Sequence, residues 1–355
     1  MASDILWLSH ETPDRHGQGG QRRQYFQIRA LVQAGHRVHV LSLRGPQSES
    51  ELRQIASVER HRSHVLGRRL PDLVNLVRRR VESGRWDRVV LAHADSLDML
   101  EPFWDRPPLL IDLHNVYSRW FERQGEHGIA ARQRHLERLA LRMADTVSVC
   151  SDREMERLLG HGDRAAASVI VLPNGVDPQE WPEPVVNREL PVVAAFGGWA
   201  WRPNMLGLQW FLSDVWPGVR AAVPDAQFHL AGTGLDWLDV PAPGLVALGR
   251  VPNLAAHLAA ATVVVTPVLD GVGSPVKFAE SLASGARVAA TPDAASAAPG
   301  SPAFVSGTAG EWIAWIGDQL QQRKRLPVPA PEREYALQNL TWSRVTAGLD
   351  EWLRA

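Results

Sequence analysis

The residues best able to do chemistry lie in one short stretch, Asp270-Gly271-Val272-Gly273-Ser274-Pro275-Val276-Lys277-Phe278-Ala279-Glu280. The run ahead of it, Ala261-Thr262-Val263-Val264-Val265-Thr266-Pro267, is apolar and β-branched and reads as a buried parallel strand. Behind it, Ser274 as N-cap, Pro275 at the first helical position and Gly285 as the stop predict a short helix. Glycines leading into a helix N-terminus turn free N–H groups and the positive end of the helix dipole toward one point, which makes an anion site. Lys277 stands about one turn in, able to put its ammonium on that anion. Glu280 lies three residues on, on nearly the same helical face. A lysine for phosphate and a carboxylate for a sugar hydroxyl suit a nucleoside diphosphate. The plainer reading makes Lys277 and Glu280 an i,i+3 surface pair on an ordinary βα unit. Lysine usage weighs against it: of 38 basic residues only Lys277 and Lys324 are lysines, so a compact ammonium here departs from the chain's habit.

The elements that must position this stretch alternate strand and helix. Ile5 to Ser9 reads as a first strand, followed by the loop Gly17-Gln18-Gly19-Gly20, a helix from Tyr25 to Ala34 and a strand from Arg37 to Ser42. That is the opening of a doubly wound sheet. A nicotinamide site would need its glycines directly after the strand and an acid closing the second strand. Here the glycines come late and the second strand ends in Ser42-Leu43-Arg44, which excludes that site. Val89 to His93 and Leu109 to Leu113 read as further strands, the latter ending in His114-Asn115. The carboxyl end of a central strand is where such sheets hold ligands, although a single histidine there serves structure more often than chemistry. A helix from Arg132 to Met143 and a strand from Thr146 to Cys150 follow. Pro173-Asn174-Gly175-Val176-Asp177 is a turn, and the Pro-rich passage from Pro178 to Pro191 is the best linker in the chain.

A second βα series then opens with a strand from Val192 to Phe196. Its loop is Gly197-Gly198-Trp199-Ala200-Trp201-Arg202-Pro203-Asn204, and a helix from Met205 to Trp216 follows. A strand from Leu245 to Leu248 meets Gly249-Arg250-Val251-Pro252, then come a helix from Leu254 to Ala260 and the Lys277 stretch. The chain closes with a helix from Thr341 to Leu353. No repeat, heptad, metal-ligand cluster or Asp-x-Asp appears.

Composition sets outer bounds. A chain of 355 residues predicts two domains of ordinary size, and a net charge of −1 argues against a general nucleic-acid binder. The single Cys150 cannot form an internal disulfide, so a reducing, cytoplasmic setting is expected, with Cys150 itself buried in a strand. Met1 to His10 lacks the pattern of a secretory leader, and no apolar run is long enough to span a membrane. From Pro71 to Arg85 an amphipathic helix sets Leu73, Val74, Val77 and Val81 against Arg78, Arg79 and Arg80. That is a solvated basic face, or else a weak peripheral contact with an anionic membrane.

Two α/β halves, each opening on a glycine loop, resemble a GT-B glycosyltransferase of the large retaining family 4 (glycosyl transferases group 1). The resemblance is carried in order by Gly17 to Gly20, His114-Asn115, Pro173 to Asp177, Phe196-Gly197-Gly198 with Arg202-Pro203-Asn204, and Gly271 to Gly285. It implies two Rossmann-like, doubly wound domains facing a central cleft: an acceptor domain over residues 1–181, a nucleotide-sugar donor domain over 182–340, and a closing helix over 341–355 that crosses back to the first domain.

The resemblance also implies roles. Lys277 and Arg202 hold the donor diphosphate, and the backbone from Gly273 through Ser274 to Val276 meets its distal phosphate. Glu280 binds the ribose, and Arg250-Val251 lies along the base. Gly198 belongs to the donor loop, His114 approaches the donor sugar, and Gly19-Gly20 closes over phosphate and acceptor. The implied reaction moves a sugar to an acceptor hydroxyl with retention, without a metal ion and without a cofactor beyond the nucleotide-sugar donor. The acceptor would be a sugar, a lipid-linked or a small molecule, and no nucleic acid is involved. Two departures stand out. Val272 occupies the position of the earlier of two family glutamates, and Gly198 stands where many members carry arginine. They leave open a sugar-nucleotide epimerase of the same architecture, or an inactive nucleotide-sugar-binding homologue.

Overall fold

Apolar, β-branched runs followed by helical periodicity pair as parallel strands in two separate sheets, as strands buried on both faces must. The computed structural model describes residues 2–43, 50–60, 71–83, 85–100, 106–160, 167–184, 188–238, 242–271, 273–296 and 298–354. Val272 lies outside the described residues. The chain divides into two compact units, Met1–Pro173 with Trp342–Ala355, and Asn174–Thr341.

The first unit holds β1 (Asp4–Ser9), β2 (Arg37–Ser42), β3 (Ser57–Arg60), β4 (Arg88–Ala92), β5 (Leu109–Asp112), β6 (Thr146–Val149) and β7 (Ser168–Val171). They run in the order β3-β2-β1-β4-β5-β6-β7, every pair parallel, so the winding reverses between β1 and β4. The helix over Gly19–Gln33 begins six residues earlier than its apolar periodicity suggests. Gln18 and Gln21 form a reciprocal capping box, which starts the helix at the glycines themselves. The helix over Pro71–Val81 buries Leu73, Val74, Val77 and Val81, as its pattern requires. On its basic face Arg80 grips Glu59 through two bonds of 2.8 Å, so part of that charge is already met.

The closing segment belongs to this unit. It is two short helices, Trp342–Val345 and Ala347–Arg354, where the sequence predicts one. Thr346 Oγ1 donates back to the Trp342 carbonyl at 2.6 Å, alongside the backbone bond from Thr346 N–H to the same carbonyl at 3.0 Å, and the helix is interrupted at this residue. Trp342 stacks on Phe26 with ring centroids 5.3 Å apart, and Val345, Leu349 and Leu353 join the core formed by Ile5, Trp7, Phe26 and Val40.

The second unit holds β8 (Val192–Gly198), β9 (Gln227–Thr233), β10 (Leu245–Gly249), β11 (Val263–Thr266), β12 (Arg287–Ala290) and β13 (Phe304–Val305). Their order is β10-β9-β8-β11-β12-β13, again all parallel, and the winding reverses between β8 and β11. The division of the chain at Pro173 precedes the boundary expected after residue 181. Trp181 is buried in the second unit's core beside Val192 and Phe278, and Arg333 Nη2 donates to its carbonyl, so the Pro-rich passage begins as part of this unit. Two of the chain's 14 tryptophans are placed here: Phe211, Trp216, Phe228 and Trp312 form one buried ring cluster with centroids 4.8 to 6.3 Å apart. Burying each such side chain stabilises the fold by about 1.5–3 kcal/mol.

Candidate active site

Open parallel sheets bind ligands beyond the carboxyl ends of their strands, where the winding reverses. In the second unit that place lies between β8, which ends in Gly197-Gly198, and β11, which leads to Asp270 and Lys277. The helix over Arg202–Trp210 is drawn against this point by Gly207: a Cβ there would stand 1.5 Å from the Pro267 carbonyl oxygen, so only glycine permits the approach. Leu269 N–H donates to the Pro203 carbonyl at 3.2 Å and completes the seam. Asn204 is thereby brought beside Lys277, whose Nζ donates to Asn204 Oδ1 at 2.5 Å and lies 5.3 Å from the centre of the Trp199 ring.

Lys277 is half-buried, and among the described residues no carboxylate pairs with it. Burial pushes its amine down to about 7. Glu280 lies on the same helix and is buried, so the two are not the exposed surface pair of the plainer reading.

The helix runs over Val276–Ala283, one residue later than the sequence predicts. Pro275 occupies the cap position with extended backbone, and Ser274 is displaced from it. Ser274 is buried, its carbonyl accepts from Asn174 Nδ2 at 2.5 Å, and its Oγ has no hydrogen-bond partner. Gly273 has φ +75°, which turns the chain into the helix, and Gly285 with φ +86° follows its end as expected. The structure thus gathers Gly273 and Ser274 on the loop, and Val276, Lys277 and Glu280 on the first two turns of the helix it leads into.

The other donor-side candidates stand further out. Gly198 is exposed, and its carbonyl accepts from Asn204 Nδ2 at 2.9 Å. Arg202 is exposed at the start of its helix. Arg250 is exposed after β10, and Val251 packs on the core that contains Phe278.

In the first unit the winding reverses between β1 and β4, which lead directly to His10 and His93. His114 follows β5 and adopts φ +62°. The other described non-glycine residues with positive φ are His93 at +74° and Asp270 at +53°. All three sit just past strand carboxyl ends, and such backbone strain gathers where a fold holds ligands. His114 is buried, with Nε2 3.4 Å from Asp112 Oδ2 but without hydrogen-bond geometry. Its imidazole stands edge-on to His93 at 5.3 Å, and His93 lies 4.8 Å from His10. Burial drives His114 down to about 3 against the opposing pull of Asp112, so the ring is neutral at physiological pH.

Beneath it, Asp112 accepts from Arg23 Nε at 2.9 Å, Arg23 Nη2 at 3.1 Å, Ser148 Oγ at 2.9 Å and Gln27 Nε2 at 3.3 Å. Burial alone would raise this carboxyl, but the Arg23 guanidinium holds it well below the usual range. Gly20 lies against His114: a Cβ on Gly20 would be 3.2 Å from His114 Nδ1. Gly19 and Gly20 form the first turn of their helix, so their N–H groups face its open end.

Several of these residues escaped the sequence. Arg23 precedes the helix that periodicity predicts from Tyr25, and its ion pair with Asp112 connects positions too far apart for any motif. Asn204 was visible only as part of Pro203-Asn204, with no contact assigned. The fold also brings ligand atoms of His10, His93 and Asp95 within 4.8 Å of one another, a grouping that spacing did not reveal. Arg132 Nη1 already holds Asp95 Oδ1 at 3.0 Å.

Comparison with known proteins agrees with this arrangement. The profile of Glycosyltransferase Family 4 matches residues 17–180, and that of Glycosyl transferases group 1 matches residues 191–314. No curated protein matches the chain in sequence. Among solved structures, sucrose-phosphate synthase from Thermosynechococcus elongatus superposes with a TM-score of 0.76 at 16% identity, covering 99% of this chain and 98% of that one. Anabaena HepE, in complex with UDP and glucose, gives 0.70 at 17% identity, with 99% of each chain covered. S. aureus TarM, as a variant in complex with fondaparinux, alpha-GlcNAc-glycerol and UDP, gives 0.73 at 8% identity, covering 99% of this chain and all of that one. With one family profile on each half and the GT-B fold throughout, the protein belongs to the group 1 glycosyltransferases of family 4.

Proposed function

We propose that the enzyme transfers a sugar from a nucleoside-diphosphate sugar to an acceptor hydroxyl, with retention at the anomeric carbon and without a metal ion. The observation that carries this reading is Lys277: an amine held at the winding reversal of the second sheet, at a helix N-terminus, with no carboxylate paired to it among the described residues. In the transfer, the bond between anomeric carbon and diphosphate oxygen breaks. The acceptor oxygen bonds to that carbon from the same face, and its proton passes to the departing diphosphate. Negative charge grows on the diphosphate as the bond breaks, so a protonated Lys277 stabilises the transition state more than the bound donor. The N–H groups at the start of the Val276–Ala283 helix act in the same direction, and the unpartnered Ser274 hydroxyl beside them is a further donor for phosphate oxygen.

Arg202 serves as the second cation on the diphosphate, Glu280 holds the ribose hydroxyls, and Arg250-Val251 borders the base. In the first unit, neutral His114 carries one N–H and one lone pair, which suits a sugar hydroxyl. The first turn at Gly19-Gly20 beside it offers backbone donors for phosphate and acceptor. HepE and TarM are seen with UDP, which makes uracil the first donor base to test, and a sugar the first acceptor class.

The test is incubation with UDP-, GDP- and ADP-sugars and a panel of sugar acceptors. Free nucleoside diphosphate is followed, and the anomeric configuration of the product is read by NMR. An α-linked donor should yield an α-linked product. A β-linked product, or epimerised donor without transfer, overturns the proposal.

A further inference from the structure

Lys277 has an unusual partner for a half-buried lysine: a neutral amide that is itself tied down. Asn204 is buried, and its two side-chain atoms are spent on opposite tasks. Oδ1 accepts from Lys277 Nζ at 2.5 Å, while Nδ2 donates to the Gly198 carbonyl at 2.9 Å. The second bond fixes which way the amide points, so an oxygen and not an N–H faces the amine. Below, the indole of Trp199 lies 5.3 Å from Nζ and is anchored by its own Nε1 bond to the Ala231 carbonyl at 2.9 Å. Gly197 closes the side: a Cβ there would come 3.6 Å from Nζ and 3.5 Å from Asn204 Nδ2.

The charged groups on the surrounding elements are Arg202 on the Arg202–Trp210 helix, Asp270 ahead of Gly271, Glu280 on the Val276–Ala283 helix, and Asp293 on the Pro292–Ala295 helix. None is ion-paired with Lys277, and burial alone accounts for the titration of its amine.

We infer that Asn204 is a positioning residue for Lys277, holding the amine in the anion site through a neutral acceptor that an incoming diphosphate oxygen replaces or joins. The inference rests on the reading of Lys277 as the diphosphate-binding group and adds the residue that aims it. A carboxylate at position 204 would hold the ammonium more strongly but compete with the diphosphate for it. An aliphatic residue would leave the amine unaimed. The amide avoids both, because it gives the amine one hydrogen bond and no opposing charge. Since burial takes the amine to about 7, the ligand-free enzyme holds it partly neutral at physiological pH, and a diphosphate restores the charge by proton uptake.

The chain's two lysines make the test direct. Lysine labelled with 13C at Cε gives two side-chain resonances, assigned with Lys277→Ala, and exposed Lys324 serves as the internal reference. Titrated without ligand, Asn204→Asp should raise the Lys277 midpoint by about one pH unit or more, and Asn204→Ala should lower it, while Lys324 stays in place. Asn204→Asp is nearly isosteric and keeps the experiment interpretable if the alanine variant does not fold. A Lys277 midpoint unchanged in Asn204→Asp overturns the positioning role. UDP and inorganic pyrophosphate are then added to the wild-type protein. Each should move the Lys277 midpoint upward, and Asn204→Asp should bind both at least tenfold more weakly below pH 7. A wild-type midpoint indifferent to both probes, alongside a responsive Asn204→Asp titration, refutes the diphosphate reading and leaves the Asn204–Lys277 coupling standing.

Discussion

Replacing Lys277 by methionine removes an ammonium that the folded chain holds unfavourably. Burial lowers the amine from 10.5 to about 7. At about 1.36 kcal/mol per unit, that is a penalty of up to about 5 kcal/mol on the charged form. Solvent at the half-buried side chain screens part of it, and the variant forfeits the bond to Asn204, worth about 1 kcal/mol. Lys277→Met should therefore gain about 1–3 kcal/mol of stability near pH 6, while transfer activity collapses.

The pH dependence makes the prediction specific. An unfolded lysine keeps its proton to about 10.5, whereas the folded amine loses it near 7, so the unfolded state binds more protons throughout that window. Wild-type stability from this group therefore rises with pH from 7 to 10.5. The advantage of methionine is full below 7 and fades towards 10.5. Urea unfolding of both proteins at several pH values between about 6 and 10 reads it. A variant less stable than wild type at pH 6, or an advantage constant across the range, refutes the reasoning.

Three further outcomes follow from the same structure. Asp112→Ala leaves the Arg23 guanidinium buried without its carboxylate and should cost about 3–5 kcal/mol in urea unfolding, with a cost under 1 kcal/mol arguing against the buried pair. Glu280→Gln should weaken donor binding by about 1–3 kcal/mol, seen chiefly in KM, because ribose hydroxyls do not change charge in the reaction. If Lys277, Arg202 and the helix dipole meet the diphosphate charge as proposed, transfer should continue in excess EDTA, and activity lost on chelation and recovered with Mn2+ would contradict this.

The sequence carried the outline of both halves because its strongest signals are local. The β-branched runs of β8 and β11, the glycines at 197–198 and 271–273, and the Gly285 stop each act within a few residues. Helix starts were harder to read. Gln18 caps the Gly19–Gln33 helix through side-chain bonds that apolar periodicity does not register, and Pro275 takes the cap that Ser274 was expected to fill. The closing helix is interrupted at Thr346, whose hydroxyl looks neutral in sequence but turns back to the Trp342 carbonyl. Lys277 and Glu280 stood out by spacing, but their surroundings could not. The approach of Asn204 depends on Gly207 meeting Pro267, and the support under His114 comes from Arg23 and Ser148, remote in sequence and joined only by the order of the strands. Arg202 is marked in the sequence by its charge and its place before Pro203-Asn204, and it stands exposed at its helix start.

The most direct test of the account is steady-state kinetics of Lys277→Ala beside wild type, using the nucleotide sugar that the donor panel identifies. If Lys277 meets the charge that grows on the leaving diphosphate, kcat should fall by about a hundredfold or more, with a smaller change in the KM for donor. A turnover near that of wild type would contradict the account and return Lys277 to an amine buried for packing alone.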